Sequence, residues 1–297
     1  MSIGYACLTV GVPNTKMSRC IEKNATESRL FELIQANLKA LHCILDYNIA
    51  NNIRLFRISS DLIPFGSSPV NTLDWWNMFD AQFQMLGDII AKNGLRVSMH
   101  PGQYTVLNST NEEVVSRAIL DLEYHTKVLN CLRTEKSHKI ILHIGGIYGD
   151  KQQAIQRFLN NYRRLPQDVK HRLVIENDDK LYPIQDVLSI GNELRIPVVF
   201  DNLHHKILGS PTNRTEFDWI RECKSTWTKL DGQQKIHYAQ QDIGKKPGAH
   251  SETIEVEEFL AFYQELGRED IDIMLEVKDK NVSAVKCIRS IEKEKDE

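Results

Sequence analysis

Histidine, glutamate and aspartate recur at the ends of short apolar runs along this 297-residue chain. His100 follows Arg96-Val97-Ser98-Met99, His143 follows Ile140-Ile141-Leu142, and Glu176 follows Leu173-Val174-Ile175. Asp201 follows Val198-Val199-Phe200, His237 follows Lys235-Ile236, and Glu276 follows Ile273-Met274-Leu275. The successive gaps are 43, 33, 25, 36 and 39 residues, each close to one β-α unit. His204 comes three residues after Asp201, and His250 thirteen after His237. If one fold brings these ends together, three carboxylates share a small space, which costs several kcal/mol without compensation. Divalent cations remove that cost, and mixed imidazole and carboxylate ligation suits Zn²⁺ or Mn²⁺ better than an all-oxygen cage does.

Taken singly, each residue is ordinary. A histidine after a strand is commonly a hydrogen-bonded structural group, and a carboxylate there commonly pairs with Arg or Lys. Six consecutive strands ending in such residues form a series, and the series predicts a multi-metal centre. His42, His125, His138 and His171 fall in helices or polar connections and are expected to carry no chemistry, while His205 stays unassigned.

Positioning that series requires alternating elements. β-branched and apolar runs at 3–9, 54–58, 95–99, 139–142, 172–175, 197–200, 235–239 and 271–275 predict eight strands. Helical periodicity follows each, at 28–48, 74–92, 112–132, 152–164, 184–191, 216–223, 256–266 and 282–293. Thr72 and Asp74 are candidate caps of the second helix, and Asn93-Gly94 is its expected stop. Eight strand-helix units with no linker or repeat predict a single-domain (β/α)₈ TIM barrel over 1–297, with the barrel at about 3–292 and a polar C-terminal tail. A doubly wound open sheet is the alternative. The long loops 10–26, 59–73, 100–111, 202–215 and 240–253 follow strands, so a barrel gathers them at its C-terminal mouth, with His204 and His250 among them.

Composition narrows the class. The chain is 41% hydrophobic, enough for a packed core, which excludes wholesale disorder. Its 37 Lys+Arg against 40 Asp+Glu give a net charge of −3, which argues against a protein coated in positive charge but permits a local basic cleft. Six scattered cysteines without a C-x-x-C pair read as thiols of a reducing compartment. No run of eighteen apolar residues and no signal-like start are present, so a cytoplasmic protein without a membrane span is expected.

The segments His100-Pro101-Gly102-Gln103-Tyr104, His143-Ile144-Gly145-Gly146, Glu176-Asn177-Asp178, Asp201-Asn202-Leu203-His204-His205, Lys235-Ile236-His237-Tyr238 and Glu276-Val277-Lys278 together resemble the UV damage endonuclease family. The likeness runs from Gly4-Tyr5 to about Lys280. It implies a TIM-barrel DNA repair enzyme related to endonuclease IV, holding up to three divalent ions, often Mn²⁺, with Zn²⁺, Mg²⁺ or Co²⁺ as other ions. It implies nicking of duplex DNA immediately 5′ of cyclobutane pyrimidine dimers and 6-4 photoproducts, leaving a 3′-hydroxyl and a 5′-phosphate. UV-damaged double-stranded DNA is then the partner of a monomer, in the cytoplasm at the nucleoid if the source is a prokaryote.

By the same resemblance, His100, His143 and Glu176 hold one ion, Glu176, Asp201, His237 and Glu276 a second, and His204 with His250 a third. Lys235 is similar to a family lysine that carries a carboxyl group on Nζ and joins the metal shell; the plain reading is a solvated lysine at a strand start. Gln103 and Tyr104 resemble the pair inserted beside the lesion, and Tyr5 another lesion-site residue. Cys7-Leu8-Thr9 departs from the pattern, since the family carries an Asn shortly after that tyrosine, and Thr9 is given no role.

Clustered ions generate hydroxide near neutral pH and neutralise charge in phosphoryl transfer, and Glu176 is where the nucleophile is expected to be held. Lys245 and Lys246 share a loop with His250 and are the main candidates for phosphate contact, with Arg57, Lys180 and Arg214 as lesser ones. Trp75-Trp76 is expected to pack at core and rim instead of stacking on bases. Competing readings on the same framework are an endonuclease IV-like abasic-site enzyme, a xylose isomerase-like sugar isomerase, and a non-enzymatic DNA-binding module. The Gln103-Tyr104 pair disfavours the first two, and the full ligand set disfavours the third.

Overall fold

The expected alternation closes on itself: eight parallel strands pair in the order β1 to β8, and β8 pairs back to β1. The computed structural model describes residues 1–209, 212–267 and 269–296. The strands are β1 (Ile3–Ala6), β2 (Leu55–Ile58), β3 (Arg96–Met99), β4 (Ile140–His143), β5 (Leu173–Glu176), β6 (Val198–Asp201), β7 (Gln234–Tyr238) and β8 (Ile271–Leu275). Between and after them run α1 (Glu27–Ala50), α2 (Trp75–Met78), α3 (Asp80–Lys92), α4 (Glu112–Cys131), α5 (Lys151–Arg164) and α6 (Gln167–Arg172). The second half adds α7 (Ile184–Leu194), α8 (Asn202–Leu208), α9 (Glu216–Lys224), α10 (Val256–Leu266) and α11 (Asn281–Asp296).

Strand periodicity divides the core into two layers. Ile140, Leu142, Leu173, Ile175, Val198 and Phe200 belong to the main core shared with the helices. The residues between them, Ile141, Val174 and Val199, form a separate small cluster, as inward-facing side chains of a barrel should. Two positions further along the same strands, in the same phase, stand His143, Glu176 and Asp201. An apolar layer therefore lies directly beneath the polar mouth, and each fully buried Val or Ile in it contributes about 1.5–3 kcal/mol.

The departures from expectation have local causes. β1 stops at Ala6 because Cys7 turns into the left-handed region, at φ 67°, and donates its N–H to the Arg57 carbonyl at 2.8 Å. The helix expected at 74–92 breaks at Phe79, whose fully buried ring packs on Phe31 while its backbone leaves helical values. Asp74 takes the N-cap position of α2 but makes no side-chain cap bond, its carboxylate accepting from the Asn77 side chain, while Thr72 bonds Glu27. Gly94 does end α3, at φ 59°. α6 and α8 fall where a connection and a loop were expected. The C-terminal tail continues α11 as far as Asp296, and Glu297 lies outside the described residues.

Candidate metal centre

The strands β4, β5 and β6 each extend one residue further than their apolar runs suggest, and that residue is His143, Glu176 or Asp201. The sheet register then pairs His143 with Glu176, and Asp201 with His237. Four of the six strand-end ligands are thus laid side by side by backbone pairing alone. His100 enters just after β3, its ring centroid 5.1 Å from that of His143. Glu276 follows β8, with its N–H bonded to the Tyr238 carbonyl at 2.9 Å.

Glu176 is the hub. Its Oε1 lies 2.6 Å from His237 Nδ1, and its Oε2 lies 3.3 Å from His100 Nε2 and 3.7 Å from His143 Nε2. Two groups emerge whose ligand atoms all fall within 4.8 Å of one another, His100–His143–Glu176 and Glu176–Asp201–His237, with Glu176 common to both. Glu276 Oε1 is 3.2 Å from His237 Nδ1 but also 2.5 Å from the Arg57 guanidinium. Arg57 therefore faces Glu276 and is nearly buried, which corrects its expectation as a phosphate contact.

His204 reaches the same mouth by a route the sequence reading placed differently. It sits in the first turn of α8, not on a loop, and Asp201 is the cap of that helix, accepting the His204 N–H at 2.7 Å. The His204 Nδ1 donates to the Asn177 carbonyl at 2.9 Å, and its ring centroid stands 5.7 Å from that of His143. His250 follows β7 on a loop bridged to Gln241, with Glu276 and His204 as charged neighbours.

Electrostatics follow from burial. Burial would raise the Glu176 carboxyl, but His237, His143 and the hydrogen bonds from His100 and His237 hold it well below the usual range. Burial pushes Asp201 up to about 7 despite His204. His204 is raised to about 9, because Asp201 and Glu176 outweigh its own burial. Burial lowers His143 to about 4. His143 Nδ1, Asp201 Oδ2 and His237 Nε2 are buried atoms without a hydrogen-bond partner among the protein groups. Unpaired donors and acceptors of this kind, clustered with a carboxylate, fit a divalent cation.

Lys235 corrects its plain reading: it is fully buried in the barrel, and its Nζ has no hydrogen-bond partner. Burial first, then Arg96, Arg57 and Lys139, drives its ammonium well below the ordinary lysine range, with Asp272 alone opposing.

At the rim, Gln103 and Tyr104 are exposed on a turn closed by the Thr105 N–H to the Gly102 carbonyl at 2.9 Å. Tyr104 is 71% exposed, and a Cβ on Gly102 would stand 2.4 Å from its ring, so glycine lets the ring fold back over the turn. A cleft of about 310 Å³ lies between this turn, His143, His204 and the Asp178–Lys180 segment. Lys246 is exposed, next in sequence to Lys245, which pairs with Asp242 and Glu252, each at 3.1 Å. Lys180 is exposed, with Asp179 at 3.9 Å.

Tyr5 is drawn inward and not displayed at the rim: it is 0% exposed, and its hydroxyl is held by Asn48 at 2.9 Å and Thr9 at 2.7 Å. Arg214 lies over the Trp219 ring at 3.9 Å and pairs with Glu222, away from the ligands. His138, expected to carry no chemistry, serves the fold instead: it accepts the Val97 N–H of β3 at 3.0 Å. Trp75 is buried and Trp76 lies under Lys127, as packing residues. Sequence reasoning also missed Asn177, which bonds both the N–H and the carbonyl of Asp201 as well as receiving His204. Its place directly after Glu176 was the available signal.

Comparison with known proteins agrees with this geometry. A family model described as UV-endonuclease UvdE matches residues 1–296. The chain is 45% identical over 292 residues to the UV DNA damage endonuclease of Clostridium perfringens strain 13, covering 98% of this chain and 71% of that protein. The crystal structure of SacUVDE superposes with a TM-score of 0.92 at 38% identity, over 99% of this chain and 98% of that one. Endonuclease IV from Thermus thermophilus superposes at a TM-score of 0.61 and 12% identity, over 99% of this chain and 100% of that one, which is a likeness of fold alone.

Proposed function

Because the chain belongs to the UV-endonuclease UvdE family, we propose that it is a metal-dependent repair endonuclease that nicks duplex DNA immediately 5′ of cyclobutane pyrimidine dimers and 6-4 photoproducts, leaving a 3′-hydroxyl and a 5′-phosphate. The observation that carries the reading is the shared carboxylate: Glu176 belongs to two ligand groups, and His100 and His143 of the first line one cleft with Gln103.

His100, His143 and Glu176 would hold one divalent ion, Glu176, Asp201, His237 and Glu276 a second, and His204 with His250 a third, Mn²⁺ being the expected metal. Bound there, such ions supply a water ionisable near neutral pH and positive charge for the developing phosphorane and leaving oxygen. The protein's own residues do the positioning. Glu176 ties the two groups into one unit, and Asn177 fixes Asp201 and the His204 ring through its backbone and side chain. In this reading Tyr104 and Gln103 would replace, with an aromatic ring and an amide, the stacking and pairing of a damaged base pair. A UV dimer pairs and stacks poorly, so opening it costs less than opening intact bases.

Lys235 is the candidate for a carboxylated lysine: burial disfavours its ammonium, the neutral amine is the form that adds CO₂ with release of one proton, and the resulting carbamate anion would offset the surrounding Arg96, Arg57 and Lys139. Lys245 and Lys246 remain the phosphate contacts of this reading. The chain from 1 to 297 would act as one catalytic unit, a monomer working on DNA in the cytoplasm or nucleoid. Among the described residues, no helix is long and apolar enough to cross a membrane.

One assay tests the reading. UV-irradiated and abasic-site duplexes are incubated with the protein and Mn²⁺, and the nick is mapped. Incision 5′ of the photoproduct is expected; incision only at the abasic site would instead favour the endonuclease IV-like activity.

A further inference from the structure

The turn that carries Gln103 and Tyr104 stands on two polar feet, and both lead to one buried face of α4. At its far foot, Thr105 closes the turn through its N–H to the Gly102 carbonyl, and its Oγ1 donates to Asp121 Oδ2 at 2.6 Å. Asp121 Oδ1 accepts from Ser67 Oγ at 2.9 Å, so both carboxylate oxygens are engaged. At the near foot, Ser60 Oγ lies 3.1 Å from the His100 carbonyl and 2.8 Å from His125 Nε2, and its one hydroxyl proton serves one of the two at a time. The other ring nitrogen of His125, Nδ1, donates to the Asp121 carbonyl at 2.6 Å, one helical turn back on α4. Between them Tyr124 donates its hydroxyl to the Ser60 carbonyl at 2.8 Å and accepts the Ile63 N–H at 3.3 Å.

These groups are out of water: Asp121 is 4% exposed, His125 0% and Thr105 2%. A buried carboxylate accepting two hydroxyls is a directional anchor, because the buried Thr105 hydroxyl has no water as an alternative partner. The same helix face thereby meets the backbone of His100, a predicted ligand, through Ser60 and holds Thr105 at the end of the four-residue turn. The two exposed side chains at the tip make no such bonds, so the turn's direction is set from below.

We infer that Asp121 and His125 of α4, acting through Thr105 and Ser60, are positioning residues that hold the Gln103-Tyr104 turn in the conformation that leaves both side chains exposed. This rests on the reading of that turn as the lesion probe given above. The clamp lowers the entropy lost when the turn enters the duplex, since its conformation is already set in the free protein. It sits behind the metal ligands and touches no reacting atom.

The experiment combines substrate-free and substrate-dependent measurements on the metal-loaded protein. Thr105→Val keeps shape and removes Oγ1; Thr105→Ser restores the hydroxyl; Ser60→Ala releases the near foot. Hydrogen exchange at the amides of the 102–105 turn is expected to quicken about tenfold in Thr105→Val and in Ser60→Ala, and to stay at the wild-type rate in Thr105→Ser. For a UV-irradiated duplex, Thr105→Val is expected to raise KM about tenfold with kcat and metal content unchanged, and Thr105→Ser to restore it. Wild-type exchange in Thr105→Val, or a loss of metal in step with its loss of activity, overturns the inference. The exchange arm needs no substrate. If exchange responds but the wild type leaves UV-irradiated DNA intact, the functional reading fails and the clamp stands as a feature of the fold.

Discussion

His143 and Glu176 are Cα partners across the β4–β5 pairing, and their facing atoms Nε2 and Oε2 stand 3.7 Å apart. The same carboxylate receives His100 and His237, so imidazoles from three other strands converge on one side chain. Glu176→Gln keeps the volume and removes the charge that both ligand groups share. Metal content measured by mass spectrometry is expected to fall at both groups in Glu176→Gln, but by a single ion in His143→Asn. Nicking should drop about a thousandfold or more in Glu176→Gln, equivalent to some 4 kcal/mol of transition-state stabilisation. Retention of most activity would mean that the centre is wrongly assigned.

Metal uptake should release protons. Asp201 is pushed up to about 7 by burial, and His204 up to about 9 by Asp201 and Glu176, so the metal-free site holds protons at neutral pH. Ligands bind cations only after losing them. Apparent affinity for Mn²⁺ is therefore expected to weaken as pH falls below these values and to strengthen as pH rises through them. Calorimetric titration in two buffers of different ionisation enthalpy measures the protons released; a buffer-independent heat at pH near 7 would contradict the assignment.

Tyr104 is 71% exposed and shares no ligand atom with the cluster, which separates recognition from metal loading. Tyr104→Ala is expected to reduce the preference for UV-irradiated over intact duplex by about tenfold, since stacking of one base on an aromatic ring contributes about 1–3 kcal/mol. Its metal content and thermal midpoint should match the wild type. An equal loss of metal would show that the ring supports the centre instead.

The barrel and the ligand series were legible because both obey a period. Apolar alternation marks the strands, and a ligand at each strand end needs only the pleat to face inward. What escaped was decided by tertiary contact. α8 was read as loop because Asn202-Leu203-His204-His205 carries no helical stripe, yet Asp201 caps it and thereby turns His204 toward Glu176. Arg57 and Lys180 look alike as rim cations in sequence, but one is locked to Glu276 and the other is exposed. Tyr5 sits in the family's pattern while Asn48, more than forty residues away on α1, draws its hydroxyl inward. No local signal carries such pairings.

Stability against acid should report the histidine that the sequence leaves idle. His138 accepts the Val97 N–H beneath the barrel, where burial and then Arg96, Lys235 and Arg172 lower it to about 3. The unfolded chain protonates a histidine near pH 6.5, so between that value and about 3 the unfolded state binds the extra proton. Its contribution is fully present above pH 6.5 and is lost progressively as pH falls toward 3. His138→Asn keeps an acceptor for Val97 but cannot titrate. Urea unfolding of the chelated protein at about pH 7 and about pH 5 is expected to show the wild type losing roughly 2 kcal/mol more than the variant over that interval. Chelation removes the metal, so the ligand protons contribute equally to both proteins and cancel in the difference. Parallel losses would mean that His138 is protonated in the fold and that the Val97 bond is made some other way.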